Sequence, residues 1–197
     1  MYLNSSFLLT TTAGLLLGAK AYADDTSLYA ETPPEDAAFV RFIGFEEAET
    51  TQFAGRNFDL REVEENAYLP VSVSKLNGVA AGAFLSVLKD QTQTKVIAEA
   101  ARDKRAKVHL FLINGTDEPL DLRLADDTAT IIDGTDAGLS GTRTVNPVSV
   151  SLGVYPDEGI TPIAVFDVTL KRGQNVSFVA DASGVQIIEN TFGPVVK

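Results

Sequence analysis

Two residue types that carry much of enzyme chemistry are nearly missing from this sequence: it has one histidine, His109, and no cysteine. A nucleophilic Ser-His-Asp centre needs a serine presented on a sharp turn beside its histidine. No G-x-S-x-G occurs here. Nor does a Gly-Asp-Ser with a downstream Asp-x-x-His, the pattern used by SGNH-type acetyl-transferring enzymes. The residues therefore argue against acyl transfer by the known serine routes. Thiol catalysis is excluded, and so is zinc held by a His/Cys cluster. His109 sits in an apolar run on the face shared by Phe111 and Ile113, where a structural or rim role fits it.

Carboxylates are plentiful. Asp126, Asp127, Asp133 and Asp136 lie in ADDTATIIDGTDAG, and Asp133-Gly134-Thr135-Asp136 suits either a calcium-binding turn or an ordinary exposed one. The spacing is not that of an EF-hand. Glu62, Glu64 and Glu65 are close enough in sequence to serve as paired acids for glycoside cleavage. The chain has no Trp, however, which weakens both a glycosidase and an aromatic sugar-binding platform. Tyr29, Tyr68 and Tyr155 can stack on sugars or pack in a core. Arg102, Lys104, Arg105 and Lys107 form the only basic concentration. It is either a grip for an anionic polymer or acidic partner, or a solvated linker that balances Glu99 and Asp103. Arg41 interrupts an apolar strand, as an outward edge charge or as a binding residue.

The elements that must position these groups are strands. Ala38–Ile43, Tyr68–Leu76, Phe84–Leu88, Thr94–Ala98, Val108–Ile113, Leu120–Leu124, Val148–Leu152, Ile163–Leu170, Val176–Ala180 and Val185–Ile188 are apolar or alternate with period two. Gly, Asp, Asn and Pro separate them. One helix is expected, over Val96–Lys107, from its Ala, Glu, Lys and Arg content. The fold class is all-β: two tandem antiparallel β-sandwich domains after a cleaved signal peptide. The segments are 1–23 signal peptide, 24–99 N-terminal domain, 100–106 linker and 107–197 C-terminal domain. The halves look faintly alike. Phe39–Gly44 matches Val108–Gly115, and the Pro-led Leu69–Ser74 matches Asn146–Ser151.

The signal peptide rests on the apolar Phe7–Gly18, followed by Ala21-Tyr22-Ala23 and the polar Asp24-Asp25-Thr26-Ser27. It directs the protein to the cell envelope. The apolar run is too short to span a bilayer, and no membrane insertion is expected. The formal net charge is −11. Loss of the first 23 residues removes Lys20 and no acid, leaving 15 basic against 27 acidic residues, a net −12. That sign argues against nucleic acid as a partner. With no disulfide available, the hydrophobic core alone must hold the domain.

Several segments together resemble the alginate biosynthesis protein AlgF family. Ser27-Leu28-Tyr29-Ala30-Glu31-Thr32-Pro33-Pro34 followed by Phe39-Val40-Arg41 resembles its mature opening. Asn146-Pro147-Val148-Ser149-Val150-Ser151-Leu152-Gly153-Val154-Tyr155 resembles its N-P-V-x-V-x-L-x-x-Y strand, and Leu170-Lys171-Arg172-Gly173 its L-x-R-G turn. Gly44 departs from the Asn usual in that family. The resemblance implies a non-catalytic periplasmic accessory protein of exopolysaccharide O-acetylation, without cofactor or metal. It further implies partners among periplasmic SGNH-type acetyltransferases and a membrane-bound O-acyltransferase. Tyr29, Arg41, Arg102, Lys104 and Arg105 are the expected binding residues. A carbohydrate-binding module that holds the polymer itself is the alternative.

Overall fold

The computed structural model describes residues 31–45, 50–61, 63–89, 93–102 and 106–197. The expected signal peptide, Tyr29, Lys104, Arg105 and Glu62 lie outside them. Residues 31–197 form one compact unit. Its strands are β1 (Ala37–Ile43), β2 (Thr50–Phe53), β3 (Arg56–Asp59), β4 (Leu69–Ser72), β5 (Phe84–Lys89), β6 (Thr94–Glu99) and β7 (Val108–Asn114). They continue with β8 (Leu120–Leu124), β9 (Thr130–Thr135), β10 (Ser140–Val145), β11 (Ser149–Pro156), β12 (Ala164–Thr169), β13 (Asn175–Asp181) and β14 (Gly184–Glu189). Among the described residues there is no α-helix. The protein is all-β, as its alternating segments indicate.

The strands build three four-stranded sheets and a hairpin. The first sheet has the order β4-β1-β5-β6, the middle sheet β10-β7-β13-β14, and the third β12-β11-β8-β9. Strands β2 and β3 pair as the hairpin. Two pairings run parallel, β1 with β5 and β7 with β13, and the rest are antiparallel. The antiparallel sandwich expected from sequence therefore carries a parallel pair at the centre of each of two sheets. A parallel pair needs a long crossover, supplied by β2–β4 in one case and β8–β12 in the other.

The burial of each strand follows from its sequence. VHLFLIN in β7 is apolar without alternation, and all seven residues are buried. Such a run fits a strand covered on both faces. Val108, Leu110 and Leu112 pack with Val176 and Phe178 against Leu122, Leu152 and Val154 of the third sheet. Phe111 and Ile113 pack with Val179 and Ile188 against Ile43, Leu88 and Ile97 of the first sheet. The opposite face of the first sheet, with Ala38, Val40, Phe42 and Val87, closes on Phe58, Leu60 and Leu76. AVFDVT in β12 alternates, and its residues are alternately half-buried and exposed.

Two expectations are corrected. The helix over 96–107 is absent, since Thr94–Glu99 is strand β6 and pairs with β5 from Phe84↔Glu99 to Lys89↔Thr94. The β-branched Thr94, Val96 and Ile97 and the burial of Ile97 override the weak helix preference of the alanines and charged residues. The internal likeness is real for β1 and β7, each central in its sheet and each paired parallel with a later strand that turns back into a hairpin. The Pro-led segments do not correspond: β4 pairs with β1, whereas β11 belongs to the third sheet. The topological counterpart of β4 is β10.

Candidate functional site

The densest group of ionisable side chains lies between the first and middle sheets. Strand β1 alternates, so Phe39, Arg41 and Ile43 share the face turned to the middle sheet. Arg41 is not an edge charge: β1 is a central strand and Arg41 is 0% exposed. Its Nε donates to Ser86 Oγ at 2.6 Å, its Nη1 to Asn190 Oδ1 at 2.9 Å and its Nη2 to Ser177 Oγ at 2.9 Å. Nη2 also reaches Glu99 Oε1 at 3.3 Å. Ser86 and Ser177 hold the same place in the two parallel pairs, opposite Arg41 and Phe111 respectively.

Glu99, with its side chain fully buried, is the hub. Ser86 Oγ donates to its Oε1 at 2.6 Å, and the Tyr68 hydroxyl lies 2.7 Å from both carboxylate oxygens. Arg102 Nη2 pairs with Oε2 at 2.9 Å and donates to the Tyr68 hydroxyl at 2.6 Å. Two guanidinium groups thus share one carboxylate. Aromatic faces offset the excess positive charge: the Arg102 guanidinium carbon lies 3.9 Å from the Phe84 ring centroid, 4.3 Å from Phe111 and 4.8 Å from Tyr68. Burial, and then the Glu99 charge, push the Tyr68 phenol well above the ordinary tyrosine range. It stays protonated and donates. The cluster joins β1, β5 and β6 of the first half to β13 and Asn190 of the second.

Of the expected binding residues, the structure brings Arg41 and Arg102 together in this cluster. Both are engaged inside the protein, with the Arg102 side chain 7% exposed. Lys107, also in the basic stretch, donates to Asn146 Oδ1. Sequence reasoning named Glu99 only as an acid balancing the basic stretch, and missed Ser86, Ser177 and Asn190. The available signal was the polar interruption of otherwise apolar strands, FLSVLK and NVSFVAD. Of the tyrosines proposed for stacking, Tyr68 is in the cluster. Tyr155 is buried, its ring lies against Gly153, and its hydroxyl donates to Ala125 O at 3.0 Å. His109 is buried and stacks with Phe111 at 6.2 Å.

A second polar group lies on the outer face of the third sheet. The carboxylates of Asp121, Asp133 and Asp157 have oxygens within 4.8 Å of one another, the geometry of a possible cation site. Asp121 is already engaged: Oδ2 accepts from Arg123 Nη2 at 2.6 Å and Nε at 3.0 Å, and Oδ1 accepts from Gly134 N at 2.7 Å. Hydrogen bonding to Asp121 raises the Arg123 guanidinium further above its already high range. Asp127 pairs with the same arginine at 3.2 Å, while Asp126 accepts from Thr128. Of the four acids singled out in sequence, only Asp133 joins the trio. Glu64 and Glu65 border a cleft of about 30 Å³, room for a water rather than a sugar ring.

The motif residues occupy defined places. Phe39-Val40-Arg41 is the core of β1, and Asn146-Pro147 leads into β11. Leu170–Gly173 turns from β12 towards β13, with Gly173 at φ +80° and its N–H on Lys107 O. Gly44 sits at φ +79°, where an added Cβ would meet Lys89 O at 2.4 Å, so glycine suits this chain's strand end.

No family model matches the chain. It is 26% identical to the alginate biosynthesis protein AlgF of Pseudomonas syringae pv. tomato, over 87% of this chain and 83% of the relative. With AlgF of Pseudomonas fluorescens the identity is 26%, over 91% and 88%. With AlgF of Azotobacter vinelandii it is 25%, over 93% and 92%. A structure of the C-terminal domain of AlgF from P. aeruginosa matches 43% of this chain and 96% of that domain, with a TM-score of 0.35 and 22% identity. The resemblance seen in scattered motifs thus extends along most of the chain, 87–93% of which is similar to the alginate biosynthesis proteins AlgF.

Proposed function

We propose that the protein serves alginate biosynthesis as a non-catalytic periplasmic adaptor in O-acetylation of an alginate-like exopolysaccharide. It bridges periplasmic SGNH-type acetyltransferases and a membrane-bound O-acyltransferase. The observation that carries this reading is similarity to AlgF proteins over 87% and more of the chain. Export rests on the apolar Phe7–Gly18 and the Ala21-Tyr22-Ala23 cleavage pattern. Among the described residues no helix is long and apolar enough to cross a membrane. An adaptor of this kind raises the effective concentration of an acyl carrier near its acceptor without taking part in bond making.

The adaptor reading is supported by where the arginines lie: Arg41 and Arg102 are occupied by Glu99, Tyr68 and the serines of the core. The test is co-purification from envelope fractions with the acetylation enzymes, alongside turnover of an acetyl-ester reporter by the pure protein. Recovery of the acetyltransferases with no reporter turnover is expected. Turnover abolished by one Ser or Asp substitution would make the protein an enzyme. Strong binding of the uronate polymer without enzyme recovery would make it a carbohydrate-binding module. N-terminal sequencing of the envelope form should begin near Asp24.

A further inference from the structure

Strand β3 has an open edge. The turn before it, Ala54-Gly55, holds both residues at positive φ, 50° and 80°, as a two-residue type I′ hairpin requires. In such a hairpin Arg56 and Phe58 bond back to β2. Asn57 and Asp59 then direct their N–H and C=O groups the other way. Among the described residues β3 pairs with β2 alone. Beyond the open edge lies a cleft of about 630 Å³. Its far wall is residues 194–196, which run beside β4. Val196 donates its N–H to Pro70 O at 2.9 Å, so the alternate residue Val195 directs its backbone groups away from β4. All four residues of β3 line the cleft, and so do three consecutive residues opposite. Consecutive residues on a wall mean that backbone edges, not one side-chain face, border the space. Val63 and Leu69 add apolar surface between them.

The charges of the cleft do not cancel. Arg61 pairs with Asp59, and Lys197 pairs with Glu31. Arg56 donates from Nη2 to Lys197 O, a side chain spanning one end of the cleft. Among the described residues no carboxylate meets Arg56, and its covered Nε has no acceptor. One uncompensated positive charge thus stands between two strand edges. The full chain carries a net charge of −11, so a second copy is repelled as a whole and is not the occupant that fits.

We propose that a partner protein docks here by adding an extended segment between β3 and residues 194–196. The segment exchanges main-chain hydrogen bonds with Asn57, Asp59 and Val195 and places one carboxylate against Arg56. Its alternate apolar side chains meet Val63 and Leu69. The four residues of β3 offer about 13 Å of edge at about 3.3 Å per residue, so the contact is short and its affinity modest. This surface is a contact of the adaptor described above and rests on that reading.

The probe is a capped peptide, Thr-Val-Asp-Val-Thr, titrated into the isotope-labelled protein and followed by amide NMR. Saturable shifts are expected at Asn57, Asp59 and Val195. Arg56→Glu should weaken binding about tenfold, and so should Lys in place of Asp in the peptide; the two changes together should restore it. No shifts, shifts away from the cleft, or equal binding of the Asp and Lys peptides overturn the proposal. Should Arg56→Glu disturb folding, the two peptides on the wild-type protein decide alone. In envelope fractions Arg56→Glu should lower recovery of the acetylation enzymes. Recovery equal to wild type would overturn the cleft as their contact and leave the adaptor reading standing. Recovery of none by wild type would sink the adaptor reading, and the peptide titration then decides the cleft by itself. A dimer that Arg56→Glu dissolves would overturn the proposed occupant in favour of a second copy.

Discussion

The two arginine–carboxylate groups of this protein invert each other. In the core, two arginines, Arg41 and Arg102, converge on one carboxylate, Glu99, between two sheets. On the outer face of the third sheet, one arginine, Arg123, serves Asp121 and Asp127 and donates to the backbone of Asp157. The core group is held by side chains far apart in sequence, Arg41 and Asn190 being 149 residues apart. The outer group is local, with Arg123 two residues from Asp121 and four from Asp127. Among the described residues no sheet lies over the outer face, where Ser149, Ser151, Asp167 and Thr169 are exposed. Water therefore reaches Asp127, Asp133 and Asp157, although Asp121 is buried and the Arg123 side chain is largely covered. The core group has aromatic rings, hydroxyls and the Asn190 amide to replace water. The comparison teaches that residue type alone says little about role: burial decides whether a charge is a lock or a surface feature.

The largest effect should follow from removing the hub. Glu99→Ala leaves two buried guanidinium groups without a counter-charge, and should reach the upper end of the ~3–5 kcal/mol lost when a buried ion pair is broken. Urea unfolding of wild type and variant measures it. Arg41→Met should cost less, nearer ~3 kcal/mol, because Arg102 still offsets Glu99. A cost below 1 kcal/mol for both would mean that the group is not what joins the sheets.

Tyr68→Phe should come next, at about 1.5–3 kcal/mol for hydrogen bonds to charged partners. It also has a signature in pH. The folded phenol is held above the ordinary value of 10.0, so above about pH 10 the unfolded chain releases a proton that the folded chain keeps. Stability therefore falls as pH rises through that value, and Tyr68→Phe should flatten this slope. An unchanged alkaline slope would place the phenol in contact with water.

Arg123→Ala on the outer face leaves the buried Asp121 carboxylate with its Gly134 N–H bond and should cost about 1–2 kcal/mol. A cost as large as that of Arg41→Met would erase the distinction between the two groups. Smallest of all is Asp59, whose pKa is lowered to about 2 by its hydrogen bonds from Arg61. Both side chains are well exposed, and Asp59→Asn should leave the urea midpoint unchanged.

Much of the strand content was legible because each strand's surroundings are written in its own residues. The unbroken apolar run of β7 announced burial on both faces, and the alternation of β12 announced a strand with one face in water. Strand β6 was legible at Thr94–Ala98, but its Ala-Glu ending also reads as the start of a helix, and pairing with β5 decides between the two. The core group was half legible. Arg41 stood out as a charge in an apolar strand, but its partners Ser86, Glu99, Ser177 and Asn190 come from four other chain segments. No local pattern encodes a contact across 58 or 149 residues. The resemblance to AlgF was legible because its segments are short, local and ordered along the chain.

The central claim is that the protein serves acetylation of the polymer without performing the chemistry itself. Its most direct test is the acetyl content, by proton NMR, of exopolysaccharide from cells with the gene deleted. The account predicts polymer that is still made and exported but has lost its acetyl esters, with acetylation restored by the intact gene. Fully acetylated polymer from the deleted strain would contradict it.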